Sequence, residues 1–142
     1  MGIISKVFGS TSAPKEEPVS SMYPFEVVTW NVMYDDISEL IATLQKDGEL
    51  TGISANVFLN CKIEPEPKNQ VDKNALKVYA KIGRKKALYW VGYVPSNLTS
   101  FVRKDMEKVS SGEYYFSLRF MYNVMEGSHF TLGMHKSKYG TE

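Results

Sequence analysis

Hydrophobic and polar residues alternate in several short stretches of this chain. Along residues 57–63 one side of the pattern consists of Val57, Leu59, Cys61 and Ile63. Successive side chains of a strand point to opposite faces, so this pattern predicts a β-strand with one buried face. The same reasoning predicts six strands, at residues 23–30, 57–63, 75–82, 87–94, 114–124 and 129–136. Cys61 is then expected in the core, which argues against a role as a catalytic nucleophile.

Two other stretches have the period of an amphipathic helix. The first, at residues 35–48, has Asp36 and Glu39 spaced as a capping pair and Gly48 at its end, with these residues on its apolar face: Ile37, Leu40, Ile41 and Leu44. The second is predicted to begin at Pro95–Ser96, with Leu98, Phe101, Val102 and Val109 inward and Arg103, Lys104 and Lys108 in solvent. Between strands, the prolines of residues 64–70 predict a loop. Alternating strands must bury one face and hide their edges, so this order predicts a small, closed or partly closed β-barrel with two helices.

The first 22 residues differ in composition from the rest. They combine a short apolar start with Ser, Pro, Thr and Glu, which together bury too little surface to offset the entropy of ordering. We therefore expect a flexible tail over residues 1–22 and one folded domain over residues 23–138. The tail leaves a weak membrane association open, but no apolar run is long enough for stable membrane insertion. A single cysteine and the lack of a secretory signal favour a cytoplasmic location.

The net charge of +1 conceals an uneven distribution along the chain. Residues 1–60 carry three basic and eight acidic side chains, a balance of −5, whereas residues 68–108 carry ten basic and three acidic ones, a balance of +7. The middle of the chain is therefore its basic part.

Catalytic motifs are missing from the sequence. It has no phosphate-binding loop, no GxSxG motif and no HExxH pair. His129 and His135 fall on the same face of a predicted strand, but they lack Cys or carboxylate partners at metal-ligand spacing. We expect a protein that is not an enzyme and that needs no metal or cofactor.

A nucleic-acid-binding surface is better supported. Single strands are held by cations along the phosphates and by aromatic faces under the bases. The predicted strand 75–82 supplies Lys77, Tyr79 and Lys81 on one face, and Tyr89, Tyr93 and the GRKK turn at 83–86 follow it. The pattern alone leaves open a solvated strand face beside ordinary barrel aromatics.

Two motifs resemble the HIRAN domain family. EPKNQVDKNALKV at residues 66–78 and VGYVP at 91–95 are similar to that family's acidic, proline-rich turn into an Asp-x-Asn-Ala strand and its later Val-Gly-x-x-Pro segment. The resemblance covers residues 24 to about 110 in the order of elements. It implies a fold that is mainly β with two helices (α+β), a small OB-like or SH3-like β-barrel of about six strands. It also implies a module that binds single-stranded DNA near a free 3′ end and acts with a helicase or nuclease partner.

The resemblance also implies roles for individual residues. Asp72 matches the acidic residue that accepts a hydrogen bond from the terminal 3′-hydroxyl, Asn74 would brace the turn, and Tyr93 would lie near the phosphates. Gln70–Val71 stand where the family often has Pro-Tyr, so the local stacking residue is replaced, with Tyr34, Tyr79 or Tyr89 as candidates. The predicted nucleic-acid-binding set is Tyr34, Asp72, Lys73, Asn74, Lys77, Tyr79, Lys81 and Tyr93.

Two alternatives stay open. Asp72 also fits a turn residue whose carboxylate accepts backbone N–H groups. The whole domain also fits a protein-interaction or membrane-proximal adaptor that has no nucleic-acid ligand.

Overall fold

The computed structural model describes residues 22–83 and 86–137 and confirms a mainly β fold with two helices. Its strands are β1 (Phe25–Glu26), β2 (Ser54–Pro65), β3 (Leu76–Lys81), β4 (Tyr89–Tyr93), β5 (Tyr114–Asn123) and β6 (His129–Lys136). Helix α1 (Tyr34–Lys46) lies between β1 and β2, and helix α2 (Thr99–Ser110) lies between β4 and β5. The predicted tail falls almost wholly outside the described residues, as do Arg84 and Lys85 of the GRKK turn and the predicted domain end at residue 138.

The six strands form one antiparallel sheet in the order β1-β6-β5-β2-β3-β4. The sheet curls until its two ends meet through the segment that follows β1. Val27 donates its N–H to the Phe130 carbonyl of β6, while Val28 and Tyr93 of β4 exchange two hydrogen bonds, each 2.9 Å long. The result is a small OB-like barrel whose edge strands are both paired, as the sequence predicts.

Gly92 makes this closure possible. A Cβ atom on Gly92 would collide with the Val27 side chain and with the Val28 carbonyl oxygen. Only a residue without a side chain therefore lets residues 27–28 cross β4 at hydrogen-bonding distance.

The alternating patterns are confirmed in the core. Val57, Leu59 and Ile63 of β2 face inward, and Cys61 lies between them, partly buried against the same cluster. Burial raises the pKa of the Cys61 thiol well above its usual value. The inward residues of β3 and the apolar face of α1 complete this part of the core: Leu76, Val78, Ala80, Leu40 and Leu44.

Four local expectations need correction. β2 runs on through Glu64 and Pro65, which pair with Lys77 and Leu76, so the loop begins later than predicted. Asp36 does not cap α1, because the helix starts at Tyr34 and the Asp36 carboxylate instead accepts the Trp90 backbone N–H at 2.8 Å. The predicted strand 23–30 shrinks to two residues and a single bridge at Val28.

The fourth correction concerns the inward face of α2. Phe101 was expected inward but is 54% exposed, whereas Asp105 is buried and accepts a hydrogen bond of 2.8 Å from the Tyr23 hydroxyl. Helix α2 itself begins at Thr99, directly after a 3-10 turn at Ser96–Leu98, and not at Pro95–Ser96. In the part of the chain described, neither helix is long and apolar enough to cross a bilayer.

Candidate nucleic-acid interface

Four aromatic side chains gather on the outer face of β3 and β4, and we call them the aromatic platform: Trp30, Tyr79, Trp90 and Tyr93. Tyr79 pairs with Trp90 across the two strands, and Lys77 pairs with Tyr93. Trp30 reaches the same face from the segment between β1 and α1. Its ring centroid lies 5.6 Å from that of Tyr93, and it remains 57% exposed.

A β-bulge brings Trp90 and Tyr93 to one face. The register of β3 and β4 shifts between Val78 and Tyr79, and Val91 of β4 is the extra residue. Without it, strict alternation would send side chains three positions apart to opposite faces. The two rings instead meet edge to face at 5.6 Å. The Trp90 backbone is fixed by Asp36, and its indole N–H donates to the Gly92 carbonyl at 3.2 Å.

Lys77 lies within the aromatic platform. Its Nζ atom is 4.2 Å from the Trp90 ring centroid and 5.8 Å from that of Tyr79, within the range of cation–π attraction. The same atom lies 3.4 Å from Glu66 Oε2. Burial alone lowers the pKa of Lys77, but its contacts with Tyr79 and Glu66 outweigh that effect and the pKa lies above its usual value. Lys77 is therefore charged and held in place.

Glu66 is the centre of a hydrogen-bond network under the aromatic platform. Its Oε1 atom accepts from the Tyr93 hydroxyl at 2.6 Å and from Asn69 Nδ2 at 2.8 Å. The Tyr93 hydrogen bond is the main cause that lowers the pKa of Glu66. Burial, followed by the hydrogen bond to Glu66, raises the pKa of Tyr93 to about 12. Asp72 is thus not the only carboxylate in this region, and Glu66 neutralises the charge of Lys77.

The loop from Glu66 to Ala75, here called the 66–75 loop, is braced by Asn69. The Asn69 side-chain oxygen accepts the backbone N–H groups of Val71 and Asp72 at 2.9 and 2.8 Å, while its Nδ2 also lies 3.3 Å from the Tyr93 hydroxyl. Asn74, expected to brace the turn, is exposed and contributes its backbone. Its N–H donates to Asp72 Oδ1, and its carbonyl accepts from Arg103.

Asp72 has the turn role that the sequence left open. Its Oδ1 atom accepts the Asn74 N–H at 2.9 Å, which is the turn role. Within residues 22–83 and 86–137, Oδ2 has no protein donor, and the Asp72 side chain is only partly buried. Val71, at the position where an aromatic was expected by resemblance, is 96% exposed at the tip of the loop.

The structure separates the predicted site residues into four places. Tyr79 and Tyr93 belong to the aromatic platform and Lys77 lies against its rings. Asp72, Lys73 and Asn74 follow one another in the adjoining loop. Lys81 lies at the far end of β3, where it lines a hollow with Asp47 and Glu49. Tyr34 is elsewhere, in a cavity of about 400 Å³ between α1 and β6.

Tyr89, a candidate replacement for the missing stacking residue, is buried in the core and lies 3.4 Å from Thr43 through its hydroxyl. It has no face to offer a base.

Sequence reasoning missed Trp30, Trp90, Glu66 and Asn69. Trp90 lies between the buried Tyr89 and the buried Val91. This alternation is the period-two signal for an outward side chain at Trp90. Trp30 carries no such signal, because it lies in an irregular segment and reaches the site through the fold. The Glu66–Tyr93 contact joins residues 27 positions apart and needs the β3–β4 pairing to be known.

Among the described residues, no group of three or more His, Cys, Asp or Glu side chains is placed to hold a metal ion. Comparison of the chain with protein-family models, with curated proteins and with solved structures gave no match.

Proposed function

We propose that this domain binds single-stranded nucleic acid, with DNA near a free 3′ end as the preferred ligand. The observation that carries the proposal is the aromatic platform beside the 66–75 loop: an exposed Trp30 ring backed by Tyr93, next to a fixed Lys77 and a carboxylate with one free oxygen. The resemblance of residues 66–78 and 91–95 to the HIRAN domain supports the same function.

Each part suits a different component of a strand end. Trp30 offers a flat face to a base, and such stacking contributes about 1 to 3 kcal/mol. Asp72 Oδ2 can accept a hydrogen bond from a hydroxyl, whereas it would repel a phosphate. A terminal 3′-hydroxyl would therefore be preferred over a continuous or phosphorylated backbone.

The electrostatics set the expected strength. Because Glu66 already neutralises Lys77, the face is less basic than the residue count of the middle segment suggests. We expect micromolar affinity, with stacking contributing more than phosphate contacts.

The test is fluorescence anisotropy with three labelled single-stranded DNA ligands. One has a free 3′-hydroxyl, one has a 3′-phosphate, and one is a closed circle with no end. Hydrogen bonds to charged groups contribute roughly 1.5 to 3 kcal/mol, so wild type should prefer the free end by about tenfold or more. Asp72→Asn keeps the shape but loses the charge, and it should narrow the discrimination against 3′-phosphate more than it weakens overall binding. Equal affinity for all three strands would remove end recognition from the proposal.

A second pair of variants tests the stacking surface. Trp30→Ala should weaken binding by about 1 to 3 kcal/mol. The exposed Phe101 of α2 gives the matched control, since Phe101→Ala removes a similarly exposed ring that is not part of the aromatic platform. Val71→Tyr should strengthen binding by about 1 kcal/mol or more, because it restores an aromatic at the loop tip.

A protein-interaction adaptor is the second candidate function. It is favoured by the pairing of Lys77 with Glu66, which leaves the aromatic platform closer to neutral than most nucleic-acid sites. Salt separates the two functions, because phosphate contacts weaken steeply with ionic strength. Wild-type protein that binds no strand even at low salt would favour the adaptor.

A further inference from the structure

A second concave surface lies on the outer face of β2, β5 and β6, and we call it the outer groove. It has a volume of about 290 Å³ and is defined by Phe58, Ser117, Arg119, Thr131, Gly133 and His135. Of the described residues that line it, none is acidic. The outer groove shares no residue with the aromatic platform.

Phe58 and Arg119 form the first half of the outer groove. They are directly opposite each other on β2 and β5, and the Arg119 guanidinium carbon lies 4.9 Å from the Phe58 ring centroid. Phe58 is nevertheless 67% exposed, although it lies mid-strand in the barrel. A guanidinium fixed beside an exposed ring offers one contact for a phosphate and one for a flat aromatic group.

Ser117 and His135 form the second half. The Ser117 hydroxyl and His135 Nε2 are 2.7 Å apart, and the Tyr115 ring lies against the imidazole with centroids 5.2 Å apart. The side chains meet above Gly133, where a Cβ atom would come within 3.2 Å of both polar atoms. Because Gly133 has no side chain, its backbone forms the floor of the outer groove. The Ser117 and His135 polar groups lie above it, near Arg119.

A continuous row of residues paired across neighbouring strands joins the outer groove to β3, the strand that carries Tyr79. Lys81 of β3 pairs with Asn60 of β2, Asn60 pairs with Ser117 of β5, and Ser117 pairs with Gly133 of β6. Lys81 lies two residues beyond Tyr79 on the same face of β3. Since neighbouring strands are about 4.8 Å apart, the row spans roughly 14 Å across the barrel.

We propose that the outer groove binds a second nucleotide unit of the single strand whose end lies on the aromatic platform, with the base against Phe58 and the phosphate at Arg119, Ser117 and His135. This inference rests on the proposed function. It extends the site across the sheet by the length of a few nucleotides, in line with the minimum of about four nucleotides that one OB-type barrel covers.

The test compares labelled oligothymidylates of 2 and 12 nucleotides by anisotropy, with tryptophan fluorescence as an independent signal. The 2-mer is too short to span the row between the two surfaces. Both tryptophans of the chain belong to the aromatic platform, so their quenching reports on that site alone. Phe58→Ala and Arg119→Ala should each weaken binding of the 12-mer about tenfold and leave the 2-mer and its tryptophan quenching unchanged. Arg119→Ala should also reduce the salt slope of the 12-mer by about 0.7.

Matched controls keep the result specific. Phe58→Tyr retains the ring and should bind like wild type, while Phe101→Ala and Lys104→Ala remove an exposed ring and an exposed cation of α2 and should have no effect. Equal unfolding temperatures for all variants exclude loss of fold as the cause. Thymidine monophosphate as competitor distinguishes a free nucleotide from a strand: displacement of the 12-mer only at millimolar concentration supports the strand.

The possible failures are distinguishable. Tryptophan quenching with no effect of Phe58→Ala or Arg119→Ala would overturn the outer groove and leave the aromatic platform in place. Binding that depends on Phe58 and Arg119 without tryptophan quenching would overturn the platform instead. Wild-type protein that binds neither oligonucleotide overturns both.

Discussion

At the scale of single residues, the Tyr93–Glu66 hydrogen bond determines how the aromatic platform is held to the loop. Its acceptor is a charged carboxylate whose pKa is lowered, first by this same bond. A group with a lowered folded-state pKa contributes stability above its unfolded value, and that contribution is lost as the pH falls through the folded-state pKa. The bond should therefore stabilise the domain at neutral pH and lose its effect in acid.

Tyr93→Phe tests this bond. It keeps the ring and removes the hydroxyl, so it should lower the free energy of unfolding at pH 7 by about 1.5 kcal/mol, the lower value for a hydrogen bond to a charged group, because the pair is partly solvated. Urea unfolding of wild type and variant at pH 7 and at pH 3 measures the effect. If the two proteins differ in free energy of unfolding by the same amount at pH 7 and at pH 3, the charge of Glu66 has no part in the effect.

The contribution of Asp105 to stability has the opposite pH dependence. Burial raises the pKa of this carboxyl, while the Tyr23 hydrogen bond and the charge of Lys108 partly offset the effect. The folded state then holds the proton more tightly than the unfolded one, so the contribution of Asp105 to stability is full below its unfolded pKa of about 3.9 and is lost as the pH rises through the folded-state value.

Asp105→Asn removes this titration but keeps an oxygen that can accept from Tyr23. We expect the variant to gain stability relative to wild type between pH 4 and pH 7, as measured by urea unfolding at both values. A variant whose free energy of unfolding falls relative to that of wild type between pH 4 and pH 7 would contradict the raised pKa.

At the scale of secondary-structure elements, the crossing of residues 27–28 over β4 closes the barrel. It depends on Gly92, where any side chain would meet Val27 and the Val28 carbonyl. Gly92→Ala should therefore cost about 1 to 3 kcal/mol, the usual effect of overpacking, and speed amide hydrogen exchange at Val27 and Val28. Gly133→Ala is the control, because its new Cβ would meet only side-chain ends that can move. Equal destabilisation by both changes would show that closure at Gly92 has no special role.

At the scale of the whole molecule, the sequence predicts the barrel well because burial follows local periodicity. Alternation alone predicts that Leu76, Val78 and Ala80 share one face of β3. The site follows different rules. Trp90 and Tyr93 share a face only because a bulge shifts the register, and Trp30 and Glu66 reach Tyr93 through contacts between distant segments. Such contacts leave no periodic signal, so the sequence predicts Lys77, Tyr79 and Tyr93 at the candidate site but not Trp30 or Glu66.

Cys61 provides a measurement of opening of the whole barrel. Its thiol faces the core from the central strand β2, and burial raises its pKa, so little thiolate is present at pH 8. We expect it to react with a disulfide reagent at least tenfold more slowly than a free thiol, and to react fully once urea unfolds the domain. Rapid modification of the native protein would mean that β2 opens locally without global unfolding.

The exposed tip of the 66–75 loop has a consequence for how this domain can change over time. Val71 uses only its backbone N–H in holding the loop, through Asn69, and its side chain is almost wholly in solvent. Most replacements there, proline apart, should leave folding intact because they remove no packing. Position 71 can therefore accumulate variation under weak purifying selection, and a lineage can acquire or lose a ligand preference there by one codon change. A saturation library at position 71, sorted first for expression and then for ligand binding, should show nearly uniform tolerance in the first sort and sharp enrichment of aromatic residues in the second.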